Sequence, residues 1–430
     1  MGMDIETYIR LRNAAGHLEE TPHGYGSCCE LEMQGRLYGG EFGLAWSGVD
    51  GETVEVIHFG EWNRERGPDF LNTCVRIDGV ERRGDIELDP EDVDWERHGH
   101  SRDSRYDSVV LHIFSRASRK RFFTRTSQNR AVVQVLLPAE MAKKRRIVAT
   151  TADTSISLDA AQGLIRAGAH FRLARKRETW LRAESLHGRD EALFQALATS
   201  LGYKNNKIPF LLVAQRTGLA QVKHTDGEAR LFGIAGFLAA RPFDEGDTTV
   251  RDYLRTLWND WWKIRDQEER LVLPADAWNF AGVRPSNHPH RRLAALAAIA
   301  RDFRKIATAF SAGDATALTE TLESVTHPFF SNHATLNSKK PMPACALIGA
   351  QRTADILANI LAPTLPIDRG LALLEKLHPG SPISRAAKAA DWLGLDIAAR
   401  RKALGSALGQ QGLLQVFEDF YPVLPDVAGF

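Results

Sequence analysis

The chain has 430 residues, 43% of them hydrophobic and 25% charged, and a net charge of +1. This is a globular balance long enough for two or more domains, and the near-neutral total excludes a polyanion partner held by overall charge, leaving only local basic surfaces for that task. No apolar run reaches bilayer length, and Met1-Gly2-Met3-Asp4-Ile5-Glu6 lacks the basic-then-apolar order of a secretory leader, so a cytoplasmic protein with no membrane role is expected.

The composition divides the chain in three. Residues 1–24 read as an arm with one short helix. From 25 to 150, β-branched and aromatic runs alternate with Gly and Asp turns, and from 151 to 430 the apolar spacing is helical. The expected class is therefore α+β, a mixed domain followed by an all-helical one. Cys29 to Tyr38 suits a helix ended by Gly39-Gly40. Val54–Phe59, Phe70–Ile77, Arg83–Leu88, Ser108–Phe114 and Ala131–Leu137 read as strands, with Asp78-Gly79 as a hairpin turn. Pro90 to Asp94 is acidic, as a helix start prefers. The predicted helices of the second half include Glu191–Leu201, Glu228–Ala239, Val250–Arg265, Arg291–Phe310, Ala344–Leu361, Ile367–Leu377 and Gln411–Asp419. The four cysteines, Cys28, Cys29, Cys74 and Cys345, show no CxxC spacing and read as incidental or buried thiols.

The most informative stretch is Gly67-Pro68-Asp69-Phe70 followed by Gly84-Asp85-Ile86-Glu87-Leu88-Asp89. Successive strand side chains alternate between faces, so Asp85, Glu87 and Asp89 are expected to share one. Carboxylates crowded on one face repel unless solvated, protonated or bridged by a cation. With Asp69 alongside, they form an oxygen-rich set suited to Mg²⁺ or Mn²⁺. The plain alternative is the solvated face of an edge strand.

The αβββαβ order, with Pro-Asp at the second strand and acids on the third, resembles the PD-(D/E)XK nuclease superfamily over roughly residues 28–137. The resemblance implies a restriction-endonuclease-like fold and a Mg²⁺- or Mn²⁺-dependent phosphodiesterase acting on DNA or RNA. Asp69 matches the Pro-Asp aspartate, Glu87 or Asp85 the next acid, and Glu30, with Glu32 second, the helix glutamate. The implied metal ligands are Asp69, Glu87 and Asp85. No lysine follows: Asp89 holds its place if Glu87 is the acid, Glu87 if Asp85 is. An acid there repels a phosphate unless a second cation intervenes. A catalytically inactive nuclease-fold protein that binds nucleic acid, or serves as a protein scaffold, is the competing expectation.

The chain is also similar to an uncharacterised bacterial family of this length known only as a domain of unknown function. The carrying residues include Glu30-Leu31 with Gln34, Pro68-Asp69-Phe70, Asp94-Trp95, His98-Gly99-His100, Leu201-Gly202-Tyr203 and Arg284-Pro285-Ser286-Asn287.

His98 and His100 are candidate proton carriers or phosphate ligands in place of the lysine, or zinc ligands with no further Cys/His ligand pair evident, against a surface turn anchored by Trp95. His112, inside an apolar strand, reads as a core histidine or as a partner to the carboxylates. Arg116, Arg119, Lys120, Arg121 and Arg125, interrupted by Phe122 and Phe123, suit a phosphate backbone with base stacking. Nucleic acid is the expected partner, with protein partners or a homo-oligomer left open. Arg284 to Arg292 reads as a helix start, with a phosphate site as the alternative. Trp258, Trp261, Trp262 and Trp278 read as helical core.

Overall fold

The computed structural model describes residues 3–14, 30–63, 66–119, 122–137, 156–203, 205–238, 248–338, 341–380 and 383–421. Cys28, Cys29, Lys120 and Arg121 lie outside the described residues. The chain forms two compact units. One holds residues 20–145 with 182–189, and the other holds 1–19, 146–181 and 190–430. The class is α+β, with the sheet in the first unit and helices in the second.

The first unit is built on a seven-stranded sheet: β1 (Ala45–Ser47), β2 (Thr53–His58), β3 (Glu61–Trp62), β4 (Phe70–Ile77), β5 (Val80–Glu91), β6 (Val109–Arg116) and β7 (Val133–Leu136). The spatial order is β1-β2-β4-β5-β6-β7, with β3 also pairing β4. Pairing is antiparallel as far as β5, then parallel from β5 to β6 and from β6 to β7. Asp78 and Gly79 both take positive φ, the conformation a tight hairpin demands. β6 is buried from Val109 through Ser115, as a central strand covered on both faces must be. Met33 and Leu37 of the helix Glu30–Tyr38 pack with Val75, Ile86, Leu88, Leu111 and Ile113 in one apolar core. Glu30 and Gln34 lie one helical turn apart and share a face.

Two irregularities shape the strand carrying the acids. Phe70 pairs Ile86 while Thr73 pairs Gly84, so β4 holds one extra residue. Asn72 within it has φ 57°, and its N–H is accepted by Asp85 at 3.0 Å. On the other side Asp85 pairs Val109 while Ile86 pairs Leu111. The second irregularity concerns the strand end. β5 runs through Pro90 to Glu91, past the expected helix start, and the short helix Asp94–Arg97 follows. The Leu88 N–H points to the β4 side, where the Asp69 carboxylate accepts it at 2.9 Å. Two residues on, Pro90 has the same orientation and no N–H to satisfy, so the strand continues without loss.

Gly84 lets β5 and β6 approach. A β-carbon there would collide with the Ser108 carbonyl and the Val110 side chain. Gly84→Val is expected to destabilise the sheet unit by about 1–3 kcal/mol or more, read by urea denaturation followed by Trp fluorescence. A change under roughly 0.5 kcal/mol, the size of an ordinary surface substitution, would remove this account of the glycine.

The second unit is helical among the described residues. Tyr8 and Leu11, on the helix Ile5–Ala14, are fully buried with Leu413 and Phe420, and Tyr8 donates to Asp419 at 2.9 Å. The sequence reading misses the helix Leu158–His187, whose charged residues obscure its apolar stripe. Two expected helices are corrected. The span 291–310 is two helices, Pro289–Arg301 and Phe303–Ala312, broken at Asp302, and the span 344–361 becomes helical only at Ala350. The tryptophan expectation holds in part. Trp261 and Trp278 are buried, whereas Trp262 is 53% exposed and stacks on Trp258 at 4.5 Å. Four residues separate that pair along the helix Thr248–Glu268, which sets both on a flank away from the core-facing Trp261.

The segment ending in Arg291-Arg292 is a capped helix start. The His288 side chain accepts the His290 N–H at 3.3 Å, and Pro289 opens the helix. Arg291 is fully buried, and its guanidinium donates to the carbonyls of Phe330, His333, Cys345 and Ala346.

Candidate functional site

The site forms where β4 and β5 part. Asp69, just ahead of β4, is fixed at both carboxylate oxygens: Oδ2 accepts the Leu88 N–H at 2.9 Å and Oδ1 accepts the Gln34 amide at 2.7 Å. Its own N–H donates to Glu87 Oε2 at 3.0 Å. The Gln34 amide also donates to Glu30 at 3.1 Å, so one side chain ties the helix acid to the strand acid. Glu30 stands at the rim, exposed as a residue but with its carboxylate turned inward.

Asp89 is almost wholly buried, one alternation along β5 from Glu87. Three imidazoles approach it: His98 Nδ1 at 3.1 Å from Oδ1, His112 Nε2 at 3.3 Å from Oδ2, and His100 Nδ1 at 3.9 Å from Oδ2. His100 Nδ1 is also 3.4 Å from Glu87 Oε1. His112 is held at its other nitrogen by Thr124 Oγ1 at 2.7 Å, which accepts the Gln134 amide at 2.8 Å. His100 stacks on Tyr106 at 3.9 Å, with the edge of Trp95 at 5.3 Å. Trp95, fully buried, donates its indole N–H to the Arg125 carbonyl at 3.0 Å and so anchors the turn bearing both histidines. Asp89 Oδ2, His100 Nδ1 and His112 Nε2 are buried with no hydrogen-bond partner.

The electrostatics follow from crowding. Burial, then the charges of Asp69 and Asp89, push the Glu87 carboxyl well above its ordinary value. Asp69 keeps some surface as a residue, but its carboxyl is enclosed. Burial and then Glu30 raise it strongly, against the Leu88 hydrogen bond. Glu30 is raised by burial and then by Asp89. Burial pulls His100 down to about 4, leaving a neutral imidazole near neutral pH. Crowded carboxyls beside the neutral His100 imidazole suit a cation.

Of the residues singled out from sequence, the structure gathers Glu30, Asp69, Glu87, Asp89, His98 and His100. Asp85 turns to the Asn72 N–H instead, because the extra residue in β4 presents that amide beside it, and partial burial raises its carboxyl. Arg82 and Arg83 are exposed. Arg116 pairs with Glu91 at 3.1 Å, and Arg125 donates to the Asn129 carbonyl at 3.0 Å. Arg119 is exposed, as is Phe123 at 54%. Gln34, Tyr106 and Thr124 were not foreseen as parts of the site. Of these, Gln34 carried a usable signal, its four-residue spacing from Glu30.

Residues 45–370 match the family described as protein of unknown function (DUF2851). The chain belongs to that family. The match takes in Asp69, Glu87, Asp89, His98 and His100 and starts after Glu30. No curated protein and no solved structure matches the chain. Among the described residues, no helix is long and apolar enough to cross a membrane.

Proposed function

We propose that this member of the DUF2851 family is a divalent-metal-dependent nuclease-like protein that hydrolyses phosphodiester bonds of DNA or RNA. The observation that carries the proposal is the hydrogen-bonded chain that links acids of a helix, a strand start and a neighbouring strand: Gln34 donates to both Glu30 and Asp69, and the Asp69 N–H donates to Glu87. The strand order supports a PD-(D/E)XK-like, restriction-endonuclease-like reading, since antiparallel β2, β4 and β5 lead into parallel β6 and β7. The donor chemistry fits Mg²⁺ or Mn²⁺, which take carboxylate oxygens and keep some of their water.

A cation held there would acidify a water molecule and offset charge on the scissile phosphate. Asp69 and Glu87 supply the oxygens, and the Leu88 and Asp69 amides orient them. Gln34 holds Glu30 in register. Asp89 stands at the lysine position of the motif, and the imidazoles of His98 and His112 lie 3.1 and 3.3 Å from its oxygens where the motif would place an ammonium group. Exposed Arg119 and Phe123 offer a place for a phosphate backbone and a base.

The test is incubation of labelled single- and double-stranded DNA and RNA with Mg²⁺, Mn²⁺ or EDTA. Cleavage that needs the cation is expected. If the native chain leaves every substrate intact with both cations, the hydrolase reading fails. The binding-module reading would then rest on retention of nucleic acid that weakens with salt, less steeply in Arg119→Ala.

A further inference from the structure

Asp89, His98 and His100 each offer a ligand atom, and these atoms lie within 4.8 Å of one another. Asp89 comes from β5, and both histidines come from the turn anchored by Trp95. Gly99 between them has φ 79°, which lets the chain reverse so that both rings face Asp89, 5.3 Å apart. His100 and Asp89 are 7% and 1% exposed, and Asp89 Oδ2 and His100 Nδ1 are buried without a hydrogen-bond partner. Buried polar atoms left in this way are costly, and each one calls for an account.

We propose that Asp89, His98 and His100 hold a transition-metal cation of the zinc class, apart from the ion served by Asp69 and Glu87. His98 Nδ1 is hydrogen-bonded to Asp89 Oδ1 at 3.1 Å, but the 3.9 Å between His100 Nδ1 and Asp89 Oδ2 is too long for a hydrogen bond and leaves both atoms unpartnered. The two separations bracket the roughly 3.4 Å expected between donors placed tetrahedrally about 2.1 Å from a common centre. Imidazole nitrogens select zinc-like ions over Mg²⁺, and two histidines with one carboxylate leave a coordination position open. Tyr106 and Trp95 fix the His100 ring. His112 Nε2 lies 3.3 Å from Asp89 Oδ2, with its ring held at Nδ1 by Thr124. The His98 side chain is 46% exposed, which gives an ion a way in from solvent.

The three ligands include neither Asp69 nor Glu87, although Glu87 Oε1 lies 3.4 Å from His100 Nδ1, and the site does not depend on cleavage. It makes His98 a ligand rather than a proton carrier. The experiment is a zinc titration of the full chain, stripped with EDTA, against a chromophoric chelator, with Co²⁺ absorption reporting the geometry. One tight equivalent of Zn²⁺ is expected. His98→Ala, at an exposed position that does not hold the fold, is expected to weaken binding about 10- to 100-fold, and Asp89→Asn at least as much. Asp85→Asn should change it less than about threefold, because that carboxylate faces another way. No zinc uptake by the native chain, or equal affinity in His98→Ala, overturns the proposal. Zinc held without any Mg²⁺-dependent cleavage would leave this site standing and remove the nuclease. Cleavage without zinc uptake would do the reverse.

Discussion

Glu87→Gln is expected to abolish phosphodiester cleavage, by roughly 10²–10³-fold or more, while making the cation-free protein harder to unfold. Both effects have one cause. Glu87 is buried among Asp69, Asp89 and Glu30, and its carboxyl is pushed well up. An amide of the same shape still accepts the Asp69 N–H and removes a charge that has no counter-ion without metal. The gain at neutral pH is on the order of 1–3 kcal/mol, the scale of relieving an uncompensated buried polar group. The pH dependence has a definite sign. A carboxyl with a raised folded pKa contributes stability fully below its unfolded value and loses it as pH rises through the folded value. The advantage of Glu87→Gln is therefore nil near pH 4 and grows with pH. His100, pulled down to about 4, has the opposite sense, losing stability as pH falls from about 6.5; because it lies 3.4 Å from Glu87, the comparison is read above that pH, where its imidazole is neutral in both proteins. Urea denaturation in EDTA from pH 4 to 8 measures the difference. Retained cleavage would refute the role of Glu87, and a variant less stable than native at pH 8 would refute the buried-charge account.

Arg291→Met is expected to cost at least about 3 kcal/mol. The native guanidinium is fully buried, and carbonyl dipoles surround it, with Cys345 O at 2.7 Å and Ala346 O at 3.0 Å. Burial pulls its pKa down. Its planar fork reaches four carbonyls on the segment between residues 330 and 346, and methionine would leave them without donors. Lysine cannot span them, since its three donors radiate from one point. Amide exchange in residues 327–347 should accelerate in Arg291→Met and in Arg291→Lys. A loss under 1 kcal/mol, with exchange unchanged, would show that the arginine does not organise this segment.

Local pattern reached far into the sheet unit. β4 was legible to the residue, because its apolar run is bounded by Pro68 and the Asp78-Gly79 turn. That Glu87 and Asp89 lie on one side of β5 follows from strand alternation. Alternation misled at Asp85, since it cannot foresee an extra residue in the neighbouring strand. By pattern Pro90 marks a boundary, because only the tertiary structure reveals that its missing N–H faces a side without a strand. Arg291 looked like part of a helix start, and its inward course depends on carbonyls some forty residues away, which carry no sequence signal. Trp262 fits a helical stripe by spacing, yet the core-facing side of that helix is settled by Trp261.

The acids and imidazoles of the site come from separate elements, from residue 30 to residue 112. A denatured chain cannot assemble them, so an ion seated there favours the native form by mass action alone. At a concentration one hundred times its dissociation constant it would add about 2.7 kcal/mol. The survival of this protein against cellular proteases would then follow the local supply of that ion, independently of any reaction it promotes.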